Sequence, residues 1–244
     1  MTYDAAVIGA GVFGAWIARA LTLAGQRVIL VDQYGPAHGR ASSGGETRIL
    51  RMGYGARELY TEWSWRARRL YQEFYAATEP ELFQPAGCLW LGRAGDEFLS
   101  ATSAVFTRQG IPFELLEHPA LAQRWPQIDF GDLTHALYEP AAGALLARRG
   151  VQTVVRETIK AGLVYRQMAI GAPPPVHLSA GTYIYACGPW LPKLFPDLLA
   201  DKIIPTRQDV LYFGVPPGDD SYTWPALPAW IDAGDLLYGL PDIE

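Results

Sequence analysis

Three glycines and one aspartate near the start of the chain have the types and spacing needed to bind a dinucleotide. Gly9, Gly11 and Gly14 follow one short apolar run, and Asp32 ends the next, eighteen residues after Gly14. The first glycine lets a strand turn sharply, the second lets the backbone approach a pyrophosphate, and the third lets helix and sheet pack closely. The carboxylate of Asp32 can accept a hydrogen bond from a ribose hydroxyl. The pattern predicts a dinucleotide-binding βαβ unit.

A helix must lie between the two strands of this unit, with its N-terminus directed at the pyrophosphate. The free N–H groups and the positive dipole end of that N-terminus favour an anion. Gly25 is well placed to end the helix. Apolar residues at three- and four-residue steps predict the face that lies on the sheet. They are Phe13, Ile17, Ala20, Leu21 and Ala24.

The segment after Asp32 predicts a loop followed by a long helix. Residues 34–45 are rich in small residues, and such a loop can approach a cofactor closely. An amphipathic helix is predicted over about 57–78, with its apolar residues in the core. Those residues are Leu59, Trp63, Ala67, Leu70, Tyr71 and Phe74.

From Phe83 onward the pattern changes to short strands, which indicates a second layer inserted into the first domain. The segments 147–164 and 182–188 return to the first domain, where a strand ending in small residues and glycine suits the carboxyl edge of a parallel sheet. The proline-rich stretch 171–175 predicts a surface connection. The second layer is predicted to contain strands at 88–91, 113–116, 134–138, 210–215, 229–232 and 236–240, and a helix at 96–109.

Composition narrows the class of protein. The 244 residues are 50% hydrophobic and 18% charged, as in globular chains that bury a proper core. A net charge of −5 without long basic runs argues against nucleic-acid binding. No uncharged apolar stretch is long enough to span a bilayer. With only Cys88 and Cys187 present, a reducing cytoplasm is the simplest compartment.

The glycine turn and Asp32 occur with further motifs, in order along nearly the whole chain. These are the block 42–51 (SSGGETRILR), Arg124-Trp125-Pro126, Tyr138-Glu139-Pro140 followed by Gly143, and Ala186-Cys187-Gly188-Pro189-Trp190. Together they resemble the FAD-dependent amine and amino-acid oxidases of the monomeric sarcosine oxidase type, relatives of D-amino-acid oxidase (the DAO family). The block 42–51 is much more specific than a glycine fingerprint, and the resemblance selects FAD over NAD as the cofactor.

The resemblance implies an α/β fold in which a Rossmann-type FAD-binding domain is interleaved with an antiparallel-sheet (α+β) substrate domain. Residues 1–82 and 147–204 would form the FAD-binding domain, and residues 83–146 and 205–244 the substrate domain. The implied reaction oxidises the C–N bond of a secondary amine or amino acid, near sarcosine or N-methyl amino acids, by hydride transfer to flavin. O₂ or another acceptor would then take the electrons.

Two arginines and a tyrosine are the implied catalytic residues. Arg51 matches a position that pairs with the substrate carboxylate, and a surface or structural arginine is the alternative. Arg48 matches an arginine beside the flavin ring, or else it forms a salt bridge to a carboxylate such as Glu46. Tyr238 matches a tyrosine that helps to bind the substrate carboxylate, or else it is an ordinary strand residue. Backbone contacts are expected from Cys187, without thiol chemistry. The implied cofactor-binding residues are Gly9, Gly11, Val12, Phe13, Gly14, Asp32, Ser42, Ser43, Thr47, Arg48, Ala186, Cys187 and Gly188.

The resemblance further implies a chain that is incomplete at its C-terminus. The family places there an oxygen-activating lysine, a cysteine that tethers the flavin in some members, and a glycine-rich segment with a second carboxylate-binding lysine. A catalytically incompetent FAD-binding fragment or interaction module is therefore an alternative. An NAD-dependent reductase is a further alternative, and the block 42–51 argues against it. A general base is not identifiable, because the four histidines, His38, His118, His135 and His177, fall in no motif.

Overall fold

The fold is known from a computed structural model that describes residues 2–171, 173, 178–235 and 237–243. Most of the predicted proline-rich connection, together with His177 and Leu236, lies outside the described residues. The helices are α1 Val12–Leu23, α2 Glu58–Ala76, α3 Glu97–Gln109, α4 His118–Arg124, α5 Ala147–Lys160, α6 Leu191–Leu194 and α7 Pro196–Leu199. The strands are β1 Tyr3–Ile8, β2 Val28–Asp32, β3 Thr47–Leu50, β4 Phe83–Gln84, β5 Cys88–Gly92, β6 Glu114–Glu117, β7 His135–Glu139, β8 Gly143–Leu146, β9 Val164–Gln167, β10 Ala180–Tyr185, β11 Ala229–Asp232 and β12 Leu237–Gly239.

The chain divides into two compact units, each built from two segments. Unit 1 comprises Met1–Glu46 and Leu146–Leu211, and unit 2 comprises Thr47–Leu145 and Tyr212–Glu244. This division differs from the predicted domain boundaries over residues 47–82, which lie in unit 2, and over Leu146 and residues 205–211, which lie in unit 1. The assignment of residues 47–82 to FAD binding stays a prediction.

Unit 1 contains a four-stranded parallel sheet in the order β10-β1-β2-β9. The strands returning from the second chain segment thus pair on either side of the N-terminal βαβ unit. All of Ala5–Ile8 in β1 and Val28–Val31 in β2 are buried, which is typical of parallel strands covered on both faces. On one face α1 packs on β1 and β2 and against α5. The core of the other face includes Ala6, Ile8, Ile29, Val31 and Leu178.

Helix α1 begins and ends as predicted, but the predicted buried face is wrong. Gly25 follows the helix with φ +82°, a left-handed conformation that suits glycine. Phe13 is 78% exposed, and Ala20 and Ala24 are exposed as well. Small residues face the sheet instead, because at Gly14 a Cβ would overlap the carbonyl oxygen of Gly9. The buried residues of the helix are Gly14, Ala15, Ala18 and Thr22.

Unit 2 contains a five-stranded sheet in the order β12-β11-β5-β7-β6, antiparallel except for the parallel pair β11–β5. Alternate residues of β5 point to opposite faces. Cys88 and Trp90 join the core beneath α3, whereas Leu89 and Leu91 join the core beneath α4. A second sheet has the order β3-β8-β4. The strands predicted at 88–91, 113–116, 134–138 and 229–232 are confirmed.

Helix α2 matches its prediction in extent but not in burial. Leu59, Trp63 and Leu70 are 53%, 56% and 51% exposed, so their predicted place in the core is wrong. The helix packs closely on α3, β4 and the 3₁₀ turn at 80–82. Leu59, Trp63 and Leu70 therefore remain on the surface of the described chain. Its buried residues are Thr61, Phe74 and Tyr75.

The strand predicted at 210–215 is absent. Residues 203–216 are described but form neither helix nor strand. Leu211, Tyr212 and Phe213 are 73%, 71% and 84% exposed. An apolar run forms a strand only where a neighbouring strand accepts its backbone hydrogen bonds, and no such neighbour pairs with these residues in the described chain.

Two classes of feature do not occur among the described residues. None of the helices there has the length and apolar character required to cross a bilayer. Within the same ranges, His, Cys, Asp and Glu side chains form no group of three or more that could hold a metal ion.

Gly14→Ala tests the close approach of α1 to the glycine turn. Since the new Cβ would overlap the Gly9 carbonyl oxygen, we expect the free energy of unfolding to fall by at least about 1–3 kcal/mol. Gly39→Ala is the matched control, because a Cβ on the exposed Gly39 meets nothing within 4 Å. Urea unfolding measures both variants. Equal stability of the two would contradict this account of the turn.

Candidate functional site

In unit 1 the turn between β1 and α1 is closed by backbone contacts that leave no room for side chains. The Gly9 N–H donates to the carbonyl of Val31 at 2.8 Å, and the Ala186 N–H donates to that of Ile8 at 2.7 Å. Gly9 has φ +105°, and a Cβ there would meet the Ala186 carbonyl. The predicted residues Gly9 and Ala186 therefore lie side by side at the carboxyl ends of β1 and β10.

Helix α1 begins directly after this turn. Gly11 is its N-cap residue, and the helix has neither a side-chain cap of its own nor an acidic residue in its first turn. The Val12 N–H donates instead to Oγ of Ser43 at 3.1 Å. A Cβ on Gly11 would lie 3.2 Å from the same oxygen. The positive end of the helix, whose first turn has no acidic residue, and the Ser43 hydroxyl thus form a surface that favours an anion.

The small-residue loop that carries Ser42 and Ser43 is held by α5. The Arg148 Nε donates to the Gly44 carbonyl at 2.8 Å. The Ala147 N–H donates to the Glu46 carbonyl at 2.7 Å. Both donors belong to the first turn of α5, so the returning chain segment fixes the loop beside the glycine turn.

The Asp32 carboxylate, predicted to accept from a ribose hydroxyl, accepts three backbone N–H groups. Oδ2 accepts from Ala10 at 2.8 Å, and Oδ1 accepts from Tyr34 at 2.8 Å and from Gly35 at 3.0 Å. The side chain is only 9% exposed, and His38 Nε2 lies 3.8 Å from Oδ1. Because a carboxylate offers about four acceptor positions, roughly one is left for a ligand hydroxyl.

Two further side chains in unit 1 bear on this site. The Tyr165 hydroxyl is buried without a hydrogen-bond partner among the described residues. Burial raises the pKa of Tyr165, and the charge of Asp32 raises it further. Burial also raises the pKa of the Cys187 thiol to about 11, with a contribution from Asp32. The Cys187 thiol is therefore protonated near neutral pH, as a backbone role without thiol chemistry requires.

In unit 2 the predicted residues Thr47 and Arg48 lie on β3, and Arg51 follows it. Arg48 Nη1 donates to the Thr47 carbonyl at 2.7 Å. The Arg51 guanidinium carbon lies 4.4 Å from the ring centre of Tyr54 and 4.8 Å from that of Trp90. Among the described residues Arg51 forms no ion pair with a carboxylate. Its guanidinium lies over the two aromatic rings, and no carboxylate of the described residues is in direct contact with it.

The loop after Arg51 is anchored by the carboxylate of Glu139, which is fully buried at the end of β7. Oε2 accepts from the Met52 N–H at 2.8 Å, and Oε1 accepts from the Gly53 N–H at 2.8 Å and from Trp90 Nε1 at 2.5 Å. Burial raises the pKa of Glu139, an effect that these three donors and the charge of Arg51 oppose.

The comparisons with known proteins identify the family of dinucleotide-binding proteins to which the chain belongs. The sequence profile described as "FAD dependent oxidoreductase", the DAO family, matches residues 4–244. The chain belongs to this FAD-dependent oxidoreductase family. N-methyl-L-tryptophan oxidase of Yersinia pestis (strain Pestoides F) is 29% identical over 99% of the chain and 68% of the relative. The predicted family and its cofactor, FAD, are confirmed.

Two solved structures share the fold. L-proline dehydrogenase from P. horikoshii superposes with a TM-score of 0.75 at 16% identity, over 97% of this chain and 66% of the other. Glycine oxidase from Geobacillus kaustophilus gives a TM-score of 0.68 at 19% identity, over 80% and 58%. The chain thus spans less than two thirds of either structure. These likenesses confirm the predicted α/β fold class.

Unit 1 fits the dinucleotide part of FAD. The glycine turn leaves an open backbone surface, α1 directs its positive end at that surface, and Asp32 retains an acceptor position. Tyr165 adds a buried hydroxyl that lacks a partner in the described chain. Gly188, with φ +50°, begins the 3₁₀ turn that follows Ala186 and Cys187.

The structure brings together some predicted site residues and leaves others apart. Gly9, Gly11, Gly14, Asp32, Ser43, Ala186 and Cys187 meet around the glycine turn of unit 1. Tyr238 lies on β12, paired with Ile231, and is 37% exposed. No hydrogen bond joins Tyr238 to Arg51 among the described residues, so its role stays a prediction.

Sequence reasoning missed several residues that hold the site. Arg148 carries no sequence signal because its partner, Gly44, lies 104 residues away in the chain, and His38 carries none because it lies in an irregular loop. Glu139 did carry one: an acidic residue directly after the apolar residues of a buried strand. For Trp90 the sequence predicts only a place in a strand, although its indole N–H donates to Glu139.

Asp32→Asn tests whether the Asp32 carboxylate stabilises the backbone whose N–H groups it accepts. An amide offers one oxygen where the carboxylate offers two, so at least one N–H loses its acceptor. We expect the free energy of unfolding to fall by about 1–3 kcal/mol. Asp209→Asn is the control, because the ion pair of Asp209 with Arg207 is highly exposed and contributes little. Chemical denaturation measures both variants. A free energy of unfolding that Asp32→Asn leaves unchanged would refute the stabilising role of Asp32.

The raised pKa of Glu139 predicts a pH dependence of stability. The folded chain binds this proton more tightly than the unfolded chain, whose glutamate has an ordinary pKa of 4.5. The stabilisation from the protonated group is therefore complete below pH 4.5 and is lost as the pH rises through the raised value. As the pH rises above 4.5, the free energy of unfolding of the unsubstituted chain should include this decrease. The free energy of unfolding of Glu139→Gln should not include it. Parallel pH profiles would contradict the raised pKa.

Proposed function

We propose that this chain is an FAD-dependent oxidoreductase that oxidises the C–N bond of a secondary amine or amino acid. The observation that carries the proposal is the family match over residues 4–244, combined with the glycine-turn geometry of unit 1. The relative named N-methyl-L-tryptophan oxidase supports an N-methyl amino acid as substrate class. The chain spans 68% of that relative.

The residues of unit 1 bind and orient the cofactor in this proposal. The glycine turn and the N-terminus of α1 receive the pyrophosphate, and Ser43 offers its hydroxyl beside them. Asp32 accepts from a ribose hydroxyl with its remaining lone pair. Ser42, Gly188 and the backbone of Cys187 are proposed as further contacts. When bound, FAD supplies the two-electron acceptor for the amine.

The residues of unit 2 bind the substrate in this proposal. Arg51 pairs with the substrate carboxylate, a task that suits a planar fork with permanent charge. The rings of Tyr54 and Trp90 hold that fork in one plane before substrate arrives, which reduces the entropy lost on binding. Arg48 is proposed to lie beside the flavin ring, with Thr47 as a neighbouring cofactor contact, and Tyr238 to assist the carboxylate.

An electron acceptor and a cellular location complete the proposal. The electrons pass to O₂ or to another acceptor. A cytoplasmic location is proposed as well, and the free cysteines Cys88 and Cys187 support it because neither forms a disulfide.

Anaerobic flavin spectroscopy tests this function on the whole 244-residue chain. The chain is mixed with FAD and freed of unbound cofactor, and N-methyl-L-tryptophan, sarcosine and a panel of D-amino acids are added without oxygen. We expect visible flavin bands that bleach with at least one of these substrates. Bound flavin that none of them reduces would support the alternative, a catalytically incompetent FAD-binding fragment. Absence of bound flavin would overturn the proposal for this chain.

Arg51→Lys tests the substrate contact in the same assay. A lysine loses the bidentate geometry and the stacking between rings, so the substrate concentration for half-maximal bleaching should rise by about tenfold or more. Arg124→Lys is a closely matched control, because the Arg124 guanidinium also lies over two rings, at 4.6 Å from Trp125 and from Tyr138. It is paired with Glu114 at 2.8 Å, and its replacement should leave bleaching unchanged. Similar effects of the two substitutions would contradict the role of Arg51.

A further inference from the structure

The fully buried Glu139 carboxylate lies in unit 2 without a cation in direct contact among the described residues. A buried carboxylate is costly unless hydrogen bonds replace its lost hydration. Glu139 meets this requirement with three N–H donors, and all three belong to the surroundings of one residue, Arg51. Met52 and Gly53 directly follow Arg51 in the chain, and the third donor, Trp90, stacks on its guanidinium.

Two of the three supports of the Arg51 side chain, the Gly53 carbonyl and the Trp90 ring, are tied to this carboxylate, and the third is the Tyr54 ring. Arg51 Nη1 donates to the Gly53 carbonyl at 2.5 Å, and Glu139 binds the N–H of that same glycine. The Trp90 ring lies under the guanidinium, and Glu139 Oε1 binds its indole N–H. A shift of the Glu139 carboxylate would therefore move both the carbonyl and the ring that fix the guanidinium.

The packing around Gly53 shows how closely these groups fit. A Cβ on Gly53 would lie 2.8 Å from Glu139 Oε1 and 2.8 Å from Trp90 Nε1. Other buried hydroxyls complete the anchoring of the loop. The Thr61 hydroxyl donates to the Met52 carbonyl at 2.9 Å, and the Gly55 N–H donates to the Thr102 hydroxyl at 3.0 Å. The backbone that carries Arg51 is thus fixed by buried polar side chains of α2, α3 and β7.

We propose that Glu139 is a positioning residue, whose buried carboxylate holds the Met52–Gly53 backbone and the Trp90 indole so that Arg51 is preorganised to bind a substrate carboxylate. This inference rests on the proposed role of Arg51 and adds to it a second residue that never touches the substrate. A rigid support contributes because a guanidinium already held in its binding geometry loses less freedom when the ligand arrives.

A pair of ligands that differ only in charge tests this inference. Indole-3-acetate carries a carboxylate, and indole-3-acetamide is its neutral counterpart. Isothermal titration calorimetry with the whole chain, loaded with FAD, gives the ratio of the two affinities. This acid-to-amide ratio reports carboxylate recognition, and a general loss of stability does not change it. The unsubstituted chain should prefer the acid.

Three variants separate the possible causes. Arg51→Ala should abolish the preference for the acid. Glu139→Gln should lower the acid-to-amide ratio by about tenfold, because an amide cannot accept all three N–H groups. Leu121→Ala is the stability control, since Leu121 is fully buried in the core cluster beneath α4, which does not include Trp90 or Met52. It should leave the ratio unchanged.

A milder variant covers the case in which Glu139→Gln does not fold. Trp90→Phe keeps a ring under Arg51 but removes one donor to Glu139, and it should lower the acid-to-amide ratio about threefold. If neither Glu139→Gln nor Trp90→Phe changes the ratio while Arg51→Ala abolishes it, the positioning role is wrong and the proposed role of Arg51 stands. If the unsubstituted chain shows no preference, or Arg51→Ala leaves the preference intact, the carboxylate-binding role of Arg51 is itself wrong.

Discussion

A carboxylate that leaves water must receive hydrogen bonds, and this constraint organises both compact units. In unit 1 Asp32 accepts three backbone N–H groups at the end of β2. In unit 2 Glu139 accepts two backbone N–H groups and one indole N–H at the end of β7. In each case the backbone donors lie in turns or loops that carry residues proposed to bind a ligand. The need to satisfy a charged group thereby fixes irregular backbone that hydrophobic packing alone would leave loosely specified.

The sequence predicted well the features that depend on local patterns. The glycine spacing identified the turn between β1 and α1, and Gly25 the end of α1. The family motifs, which extend along nearly the whole chain, indicated the FAD-dependent oxidoreductase family that the comparisons confirm. Periodicity placed most strands within a residue or two, because a buried strand requires a run of apolar residues whatever its partners are.

Burial was predicted less well, since it depends on what covers each face. The helical period predicts that the large residues of α1 face the sheet. The overlap that any Cβ at Gly14 would cause selects small residues for that face instead. The same limit applies to α2, whose exposed Trp63 follows the helical period without being covered in the described chain. Contacts such as Arg148 with Gly44 join residues 104 apart in sequence, and no local pattern reveals them.

The exposed segment at 203–216 has a practical consequence for work on this protein. An exposed, unpaired run containing Leu211, Tyr212 and Phe213 presents free backbone groups and apolar side chains to any other chain, so concentrated samples will be prone to strand-to-strand association. The same exposure makes the segment a natural target for a protease that cleaves after aromatic residues. Cleavage there would leave β11 and β12 hydrogen-bonded into the sheet of unit 2. A nicked preparation can thus remain assembled while migrating as two fragments on a denaturing gel.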